Sequence, residues 1–99
     1  MDQSTSGGAT PPPKFPLGNV SVTANAINQI PRPEIMQALA RHVRGDWGEL
    51  DEHDIAVNER ALCEEGRLFS RYISTANVKF YIITEWDRSQ TTILLPEEY

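Results

Sequence analysis

The last third of the chain constrains the fold most, because short β-prone runs alternate there with tight turns. Residues 67–74, 78–84 and 90–95 are rich in β-branched and aromatic side chains. Turn-forming residues fill the two gaps, 75–77 and 85–89. Strands joined by such short connections pair with their neighbours in antiparallel fashion. The sequence therefore predicts a three-stranded antiparallel meander.

The middle strand of this meander carries apolar side chains on both faces. Val78, Phe80 and Ile82 would point to one side, and Tyr81 and Ile83 to the other. An apolar face of a small protein is rarely left in water. The second face therefore needs the N-terminal segment, a target protein or a second copy in a homodimer to cover it.

Two helices precede the strands. The first begins near Pro33, whose missing N–H is tolerated in a first turn, and ends at Gly45. Its apolar residues recur at helical spacing, at Ile35, Met36, Leu39, Ala40 and Val43. Asp51 and Asp54 resemble a capping pair for the second helix, and Gly66 is predicted to end it as a left-handed cap. Two main helices before a meander indicate an α+β fold.

The beginning of the chain is predicted to contribute little to this domain. Residues 1–16 combine Ser, Thr, Gly and Pro with few apolar side chains, which is typical of a disordered leader. In residues 17–23, Val20 and Val22 alternate with polar neighbours, which favours an extra N-terminal edge strand. We therefore expect one α+β domain over residues 17–99.

Composition narrows the classes of function. The chain has 99 residues, a formal net charge of −5 and a pI near 4.9, which disfavours direct binding of nucleic acid through its phosphates. The sequence shows neither a bilayer-spanning apolar run nor a signal peptide, so we expect no membrane association. Cys63 is the only cysteine and cannot form an internal disulfide, which fits the reducing cytoplasm.

The acidic residues are concentrated in one block. Residues 34–66 contain nine acidic and three basic side chains. Such an array could imitate phosphates and attract the basic groove of a DNA- or RNA-handling protein. The alternative is a solvated helix whose carboxylates also cap its N-terminus.

His42, Asp46 and His53 lie within the same block. Their spacing, His-x3-Asp-x6-His, matches none of the patterns that define zinc or calcium sites. The sequence therefore predicts no metal site and no other cofactor.

A catalytic interpretation can still be drawn from the helix and the sheet together. Ribonucleases that work without metal need an acid/base, a cation and a hydroxyl donor. The candidates are His42, Arg67, Arg71, Arg88, Thr84, Thr91 and Thr92. The order of elements resembles compact ribonuclease toxins of the RelE and barnase type in topology. In the alternative interpretation the arginines pair with Glu85 and Asp87 across the strands, and His42 caps its helix C-terminus.

Both tryptophans occur in predicted turns, Trp47 in Gly-Asp-Trp-Gly and Trp86 in Thr-Glu-Trp-Asp-Arg-Ser. A large ring in a turn either seals the edge of a core or anchors a partner. The predicted partner-binding set therefore joins the two turns to the acidic block: Asp46, Trp47, Glu49, Asp51, Glu52, Asp54, Trp86, Asp87 and Arg88.

Three pieces of the sequence resemble a family of small bacterial proteins that are carried on plasmids, integrative elements and phages. They are Arg-His-Val-Arg-Gly-Asp-Trp-Gly-Glu, Arg-Leu-Phe-Ser-Arg-Tyr, and the run from Phe80 to Tyr99. The resemblance implies a mobile-element accessory protein and supplies no catalytic residues. We therefore expect a protein that acts by binding, for example as an inhibitor of a host defence nuclease, with a metal-independent ribonuclease as the alternative.

Overall fold

Three helices and four strands make up the part of the chain that the computed structural model describes, residues 12–99. In chain order they are β1 (Asn19–Val22), α1 (Ala24–Gln29), α2 (Arg32–Val43), α3 (Glu52–Glu64), β2 (Leu68–Ile73), β3 (Lys79–Thr84) and β4 (Gln90–Leu94), followed by a 3-10 turn (Pro96–Glu98). The predicted α+β class is confirmed.

The four strands form one mixed sheet in the order β1-β4-β3-β2. The predicted meander is present, because β2, β3 and β4 are antiparallel neighbours. The predicted extra N-terminal edge strand is also present, as β1, but the prediction of an antiparallel sheet is wrong, since β1 pairs with β4 in parallel and makes the four-stranded sheet mixed. Turn signals reveal pairing between consecutive strands, whereas β1 reaches β4 only after the chain has passed through three helices and two strands.

The helix boundaries follow local signals. Pro33 lies in the first turn of α2, as predicted, and the Asp51 carboxylate accepts the Asp54 backbone N–H at 2.9 Å to cap α3. The prediction for the end of α3 is wrong, because the left-handed residue is Glu65, with φ of 58°, and not Gly66. Glycine is needed at position 66 for a different reason: the backbone there passes close to α3, and a Cβ would lie only 2.9 Å from the Cβ of Ala61.

The main core lies between the sheet and the first two helices. It comprises Ala26 and Ile30 of α1, Ile35, Ala38 and Leu39 of α2, and Tyr72, Phe80, Ile82, Ile93 and Leu95 from the sheet and the residue after it. The predicted alternation of β3 is confirmed, because Phe80 and Ile82 face these helices and Tyr81 does not.

A second core cluster corrects the predicted boundary of the leader. Phe15 is buried against Trp47, Ala61 and Leu68, and the Lys14 backbone N–H donates to the Val43 carbonyl at 2.8 Å. The packed domain therefore begins before residue 17, because one aromatic ring in a proline-rich segment is enough to attach that segment. The rest of the predicted leader, residues 1–11, lies outside the described residues.

The second face of the sheet has a cover that the sequence did not indicate. Tyr99 packs beside Phe69 and Tyr81, with ring centroids 6.0 and 5.9 Å apart. Ile83 and Leu94 on this face are buried. The C-terminus thus shields part of the face for which a homodimer was predicted, and the homodimer itself stays a prediction.

Candidate functional site

A chain of buried hydrogen bonds occupies the position of the predicted catalytic centre. His42 is fully buried, with Nδ1 2.6 Å from the Ser70 hydroxyl and Nε2 2.9 Å from the Thr84 hydroxyl. Thr84 lies 2.7 Å from the hydroxyl of Thr91, which in turn donates to the Leu17 carbonyl at 2.7 Å. The structure therefore brings together His42, Thr84 and Thr91, but away from any surface.

The direction of these bonds fixes the state of the imidazole. The carbonyl of Leu17 can only accept, so the single hydroxyl proton of Thr91 points to it, and the proton of Thr84 must point to Thr91. His42 then carries its proton on Nε2, and Nδ1 accepts from Ser70. Every polar atom of this chain is satisfied while His42 is neutral.

The surroundings of His42 oppose its protonation. Burial, and to a smaller degree the positive charge of Arg88, lowers the pKa of His42 from 6.5 to about 3. A neutral ring cannot interact as a cation with the C-terminus of α2, so the capping interpretation of His42 is wrong. It also cannot reach a substrate, so the structure places it among the core residues.

Arg88 is a structural clamp. Its guanidinium donates to the carbonyls of Ala61 and Gly66 at the end of α3, at 3.0 and 2.6 Å, and to the carbonyls of Glu85 and Trp86 in its own turn. It also lies 5.7 Å from the centre of the Phe15 ring. These five contacts join the β3–β4 turn to α3 and leave Arg88 committed to the fold.

The remaining members of the catalytic set are dispersed. Arg71 donates to the Glu49 carbonyl at 2.9 Å, and Arg67 forms an ion pair with Glu85 at 3.3 Å, as the cross-strand interpretation predicted. Thr92 follows Thr91 in β4, so its side chain points to the opposite face of the sheet from His42. The described residues therefore present no shared surface for His42, Arg71, Arg88 and Thr92.

The two tryptophans have opposite environments. Trp47 is 3% exposed, stacks on Phe15 at 6.2 Å and donates its ring N–H to the Glu59 carboxylate at 2.8 Å. Trp86 is 61% exposed at the tip of the β3–β4 turn. Trp47 therefore seals the core and is not available as an anchor, whereas Trp86 is.

The acids of the predicted binding set divide in the same way. Asp46 makes a bidentate ion pair with Arg41, and hydrogen bonding from that guanidinium lowers the pKa of Asp46. Asp51 serves as the cap of α3, and Asp87 accepts the backbone N–H and the hydroxyl of Ser89 within the β3–β4 turn. The side chains of Glu49, Glu52 and Asp54 are exposed, so these three are the members that a partner can contact without disturbing the fold.

Most of α3 faces solvent. Its buried side chains are Asn58 and Ala61, and Ile55 and Val57 are exposed on its surface. The side chains of Glu52, Asp54, Glu59, Glu64 and Glu65 lie on its exposed surface or at its end. Such a helix adds little to the core and much to the surface.

Sequence reasoning missed Asn58, which holds the outer edge of β2. Its amide nitrogen donates to the Phe69 carbonyl at 2.6 Å, and its amide oxygen accepts the Phe69 N–H at 3.1 Å. The sequence did offer a signal: Asn58 lies three positions before Ala61, so both share the face of α3 that packs on the rest of the domain. A polar residue on a packing face needs a hydrogen-bond partner there.

Two features are absent from the described part of the chain. Within residues 12–99, no three His, Cys, Asp or Glu side chains are grouped to coordinate a metal ion. No helix in that range is long and apolar enough to cross a membrane.

Comparison with known proteins finds no matching family model, no matching curated protein and no matching solved structure. The resemblance to mobile-element proteins therefore stays a prediction.

Proposed function

We propose that the protein acts by binding a basic macromolecular partner through what we call the α3 surface: the exposed acids Glu49, Glu52, Asp54, Glu64 and Glu65 together with Trp86. One observation carries this proposal. Arg88 bonds the carbonyl of Trp86, the Ala61 carbonyl in α3 and the Gly66 carbonyl just after it, so the turn that carries the exposed ring is fixed to the acidic helix.

The composition of this surface suits recognition of a cationic protein. Carboxylates on exposed helical turns create a negative potential that accelerates encounters with a basic partner. Trp86, in the turn that Arg88 fixes at the C-terminal end of α3, supplies the large apolar contact that charges alone lack, and tryptophan is enriched among the residues that dominate binding energy. Steering and anchoring are thus combined.

The partner class follows from the same charges. A basic groove that accepts an acidic array is typical of proteins that handle DNA or RNA, so we propose such a protein, with a host defence nuclease inhibited by a mobile-element accessory protein as the specific case. Cys63 is a free, exposed thiol, which supports an encounter in the reducing cytoplasm.

The test is affinity capture from the host with wild type and two variants of equal net charge. The first variant neutralises the α3 surface by Glu52→Gln, Asp54→Asn and Glu64→Gln and keeps the Asp51 cap. The second adds three lysines elsewhere on the exposed surface, by Asn28→Lys, Gln29→Lys and Ala76→Lys. Far-UV circular dichroism and thermal melting establish that both variants fold.

We expect wild type and the lysine variant to capture a DNA- or RNA-handling protein that duplex DNA displaces. The neutralised variant and Trp86→Ala should each capture at least ten-fold less of it. Equal loss in both charge variants would mean that net charge matters and the α3 surface does not. A captured protein that duplex DNA fails to displace would contradict mimicry of phosphates.

A further inference from the structure

The β1 edge of the sheet, which has no strand partner among residues 12–99, lies beside an apolar groove. Asn19 and Thr23 donate their N–H groups to Ser89 and Ile93, on the β4 side. Because a strand alternates, the N–H and C=O groups of Val20 and Val22 point the other way, along the open edge. An open edge of this kind is a template for one more strand.

The groove runs between β1 and α2. Its main part has a volume of about 440 Å³ and is lined by Leu17, Val20, Met36, Leu39, Ala40 and Val43. A second part of about 190 Å³ continues past Val22 and Ile27 to Arg32. Met36 is 58% exposed and Val20 is 44% exposed, so the apolar lining reaches the surface next to the unpaired backbone.

Both ends of the groove carry positive charge. Arg32 lies at the N-terminal end of α2, and Arg44 follows its C-terminal end. The Lys14 side chain lies over Gly45, within 3.1 Å of where a Cβ would be. A helix of this length spans about 18 Å, which five or six residues of extended chain would cover.

We propose that this groove binds an extended segment of a partner protein, which adds to β1 as a fifth strand. Its backbone would pair with Val20 and Val22, alternate apolar side chains would fill the groove, and acidic residues at both ends would meet Arg32 and the pair Lys14 and Arg44. The argument is independent of the α3 surface, which is acidic and lies on other elements.

The positive ends of the groove argue against a second copy as the occupant. Two copies joined through β1 by a two-fold axis present the same patch to each other. The arginines of one groove would then approach those of the other, and like charges across an interface are repulsive. A segment with acidic ends would be attracted by the same positive charges that would repel a second copy.

Phage-displayed random peptides of twelve residues, selected on the full-length chain, test the proposal. Three variants are compared with wild type in fluorescence anisotropy. Val20→Pro removes an edge N–H and introduces a ring without touching the bonds to β4, and Met36→Glu puts a charge into the groove. Val57→Glu makes the same kind of change on α3 and is the matched control.

We expect enriched peptides with alternating apolar residues between acidic ends. Val20→Pro and Met36→Glu should each weaken their binding at least ten-fold, and Val57→Glu should change it less than two-fold. Reversal of Arg32 and Arg44 to Glu should favour peptides with lysine ends instead. Met36 is on the surface, so its variant decides the outcome if Val20→Pro fails to fold.

Three results would overturn the proposal. The first is a failure to enrich any peptide, and the second is enrichment of peptides that bind Val20→Pro and Met36→Glu as well as wild type. The third is a dimer in sedimentation equilibrium that Met36→Glu dissociates, because the second copy would then be the occupant.

Discussion

The two edges of the sheet differ in how their backbone groups are satisfied. At the β2 edge, Asn58 bonds both groups of Phe69, the N–H of Arg71 donates to Trp47 at 3.1 Å, and its carbonyl accepts from Glu49 at 2.6 Å. At the β1 edge, no comparable bond to Val20 or Val22 is formed by the residues that the structure describes. One edge is closed by its own chain and the other is open.

This difference predicts at which edge of the sheet another strand would add. Natural sheets close or shorten their edges because an unpaired edge invites association. Here the closed edge uses a buried asparagine and a loop, which indicates that pairing is prevented there. The open edge adjoins an apolar groove with charged ends, so pairing at this side can be selective. We therefore expect the sheet to be extended at the β1 edge and not at the β2 edge.

The largest expected effect comes from opening the closed edge with Asn58→Ala. The change leaves the N–H and C=O of Phe69 without their partners, and each unsatisfied group costs about 1–3 kcal/mol. We expect the free energy of unfolding in urea to fall by about 2–4 kcal/mol. Sedimentation should then detect association through β2 in the variant and not in wild type.

Asn28→Ala on the exposed surface of α1 is the matched control. Surface substitutions of this kind change stability by less than about 0.5 kcal/mol. If Asn58→Ala lowers the free energy of unfolding no more than Asn28→Ala does, the Asn58 amide does not protect the β2 edge. The proposed difference between the two edges would then be wrong.

The next effect is a dependence on pH from the chain of hydrogen bonds that crosses the sheet from Ser70 in β2 to Leu17 before β1. His42 has a pKa of about 3 in the fold and about 6.5 in the unfolded chain, so the unfolded state binds the proton first. Its contribution is complete above pH 6.5 and is lost as the pH falls toward 3. We expect unfolding free energy to drop by about 1.4 kcal/mol per pH unit below pH 6.

The window between pH 6 and 5 isolates this effect, because ordinary carboxylates titrate near pH 4. Urea titrations across it should show the slope in wild type and in His53→Gln, which alters an exposed histidine. Nitrogen chemical shifts should show His42 protonated on Nε2 throughout. An imidazole that titrates near pH 6.5 in the folded protein would disprove the buried neutral state.

Local signals explain what the sequence could predict. The meander, its two turns and the start of α2 depend on residues close in the chain, such as Pro33 and the turn residues before Gln90. The strand at Val20 could also be predicted, because alternation of apolar and polar residues is a local pattern. In the candidate site, the exposure of the acids could be predicted, because charged side chains are mostly found at the surface.

Contacts between distant residues account for what could not be predicted. Trp47 and Trp86 have the same local signal, and Trp47 is buried because Phe15 stacks on its ring and Glu59 accepts its ring N–H. Phe15 packs on the Trp47 ring, 32 positions away. Asn58 bonds Phe69, which lies in the strand that follows its helix, and no pattern within the helix indicates this contact. The same holds for His42, whose partners lie on β2 and β3 and became visible only in the fold.

The smallest expected effect loosens the open edge from inside the sheet. Thr91→Val keeps the side-chain shape and removes the hydroxyl that bonds Leu17 and Thr84. Loss of such bonds costs about 1–2 kcal/mol. Thr92→Val changes the neighbouring residue, on the opposite face, and should cost less than about 0.5 kcal/mol because valine suits a strand.

Hydrogen exchange shows which edge the Thr91 hydroxyl supports. Leu17 precedes β1, and its carbonyl loses the Thr91 hydroxyl in this variant. The N–H groups of Asn19 and Thr23, which bond β4, should therefore exchange faster. Their protection should fall several-fold more than that of Phe69 and Arg71 at the closed edge. Equal losses at both edges would mean that the Thr91 hydroxyl supports the whole sheet and has no particular role at the β1 edge.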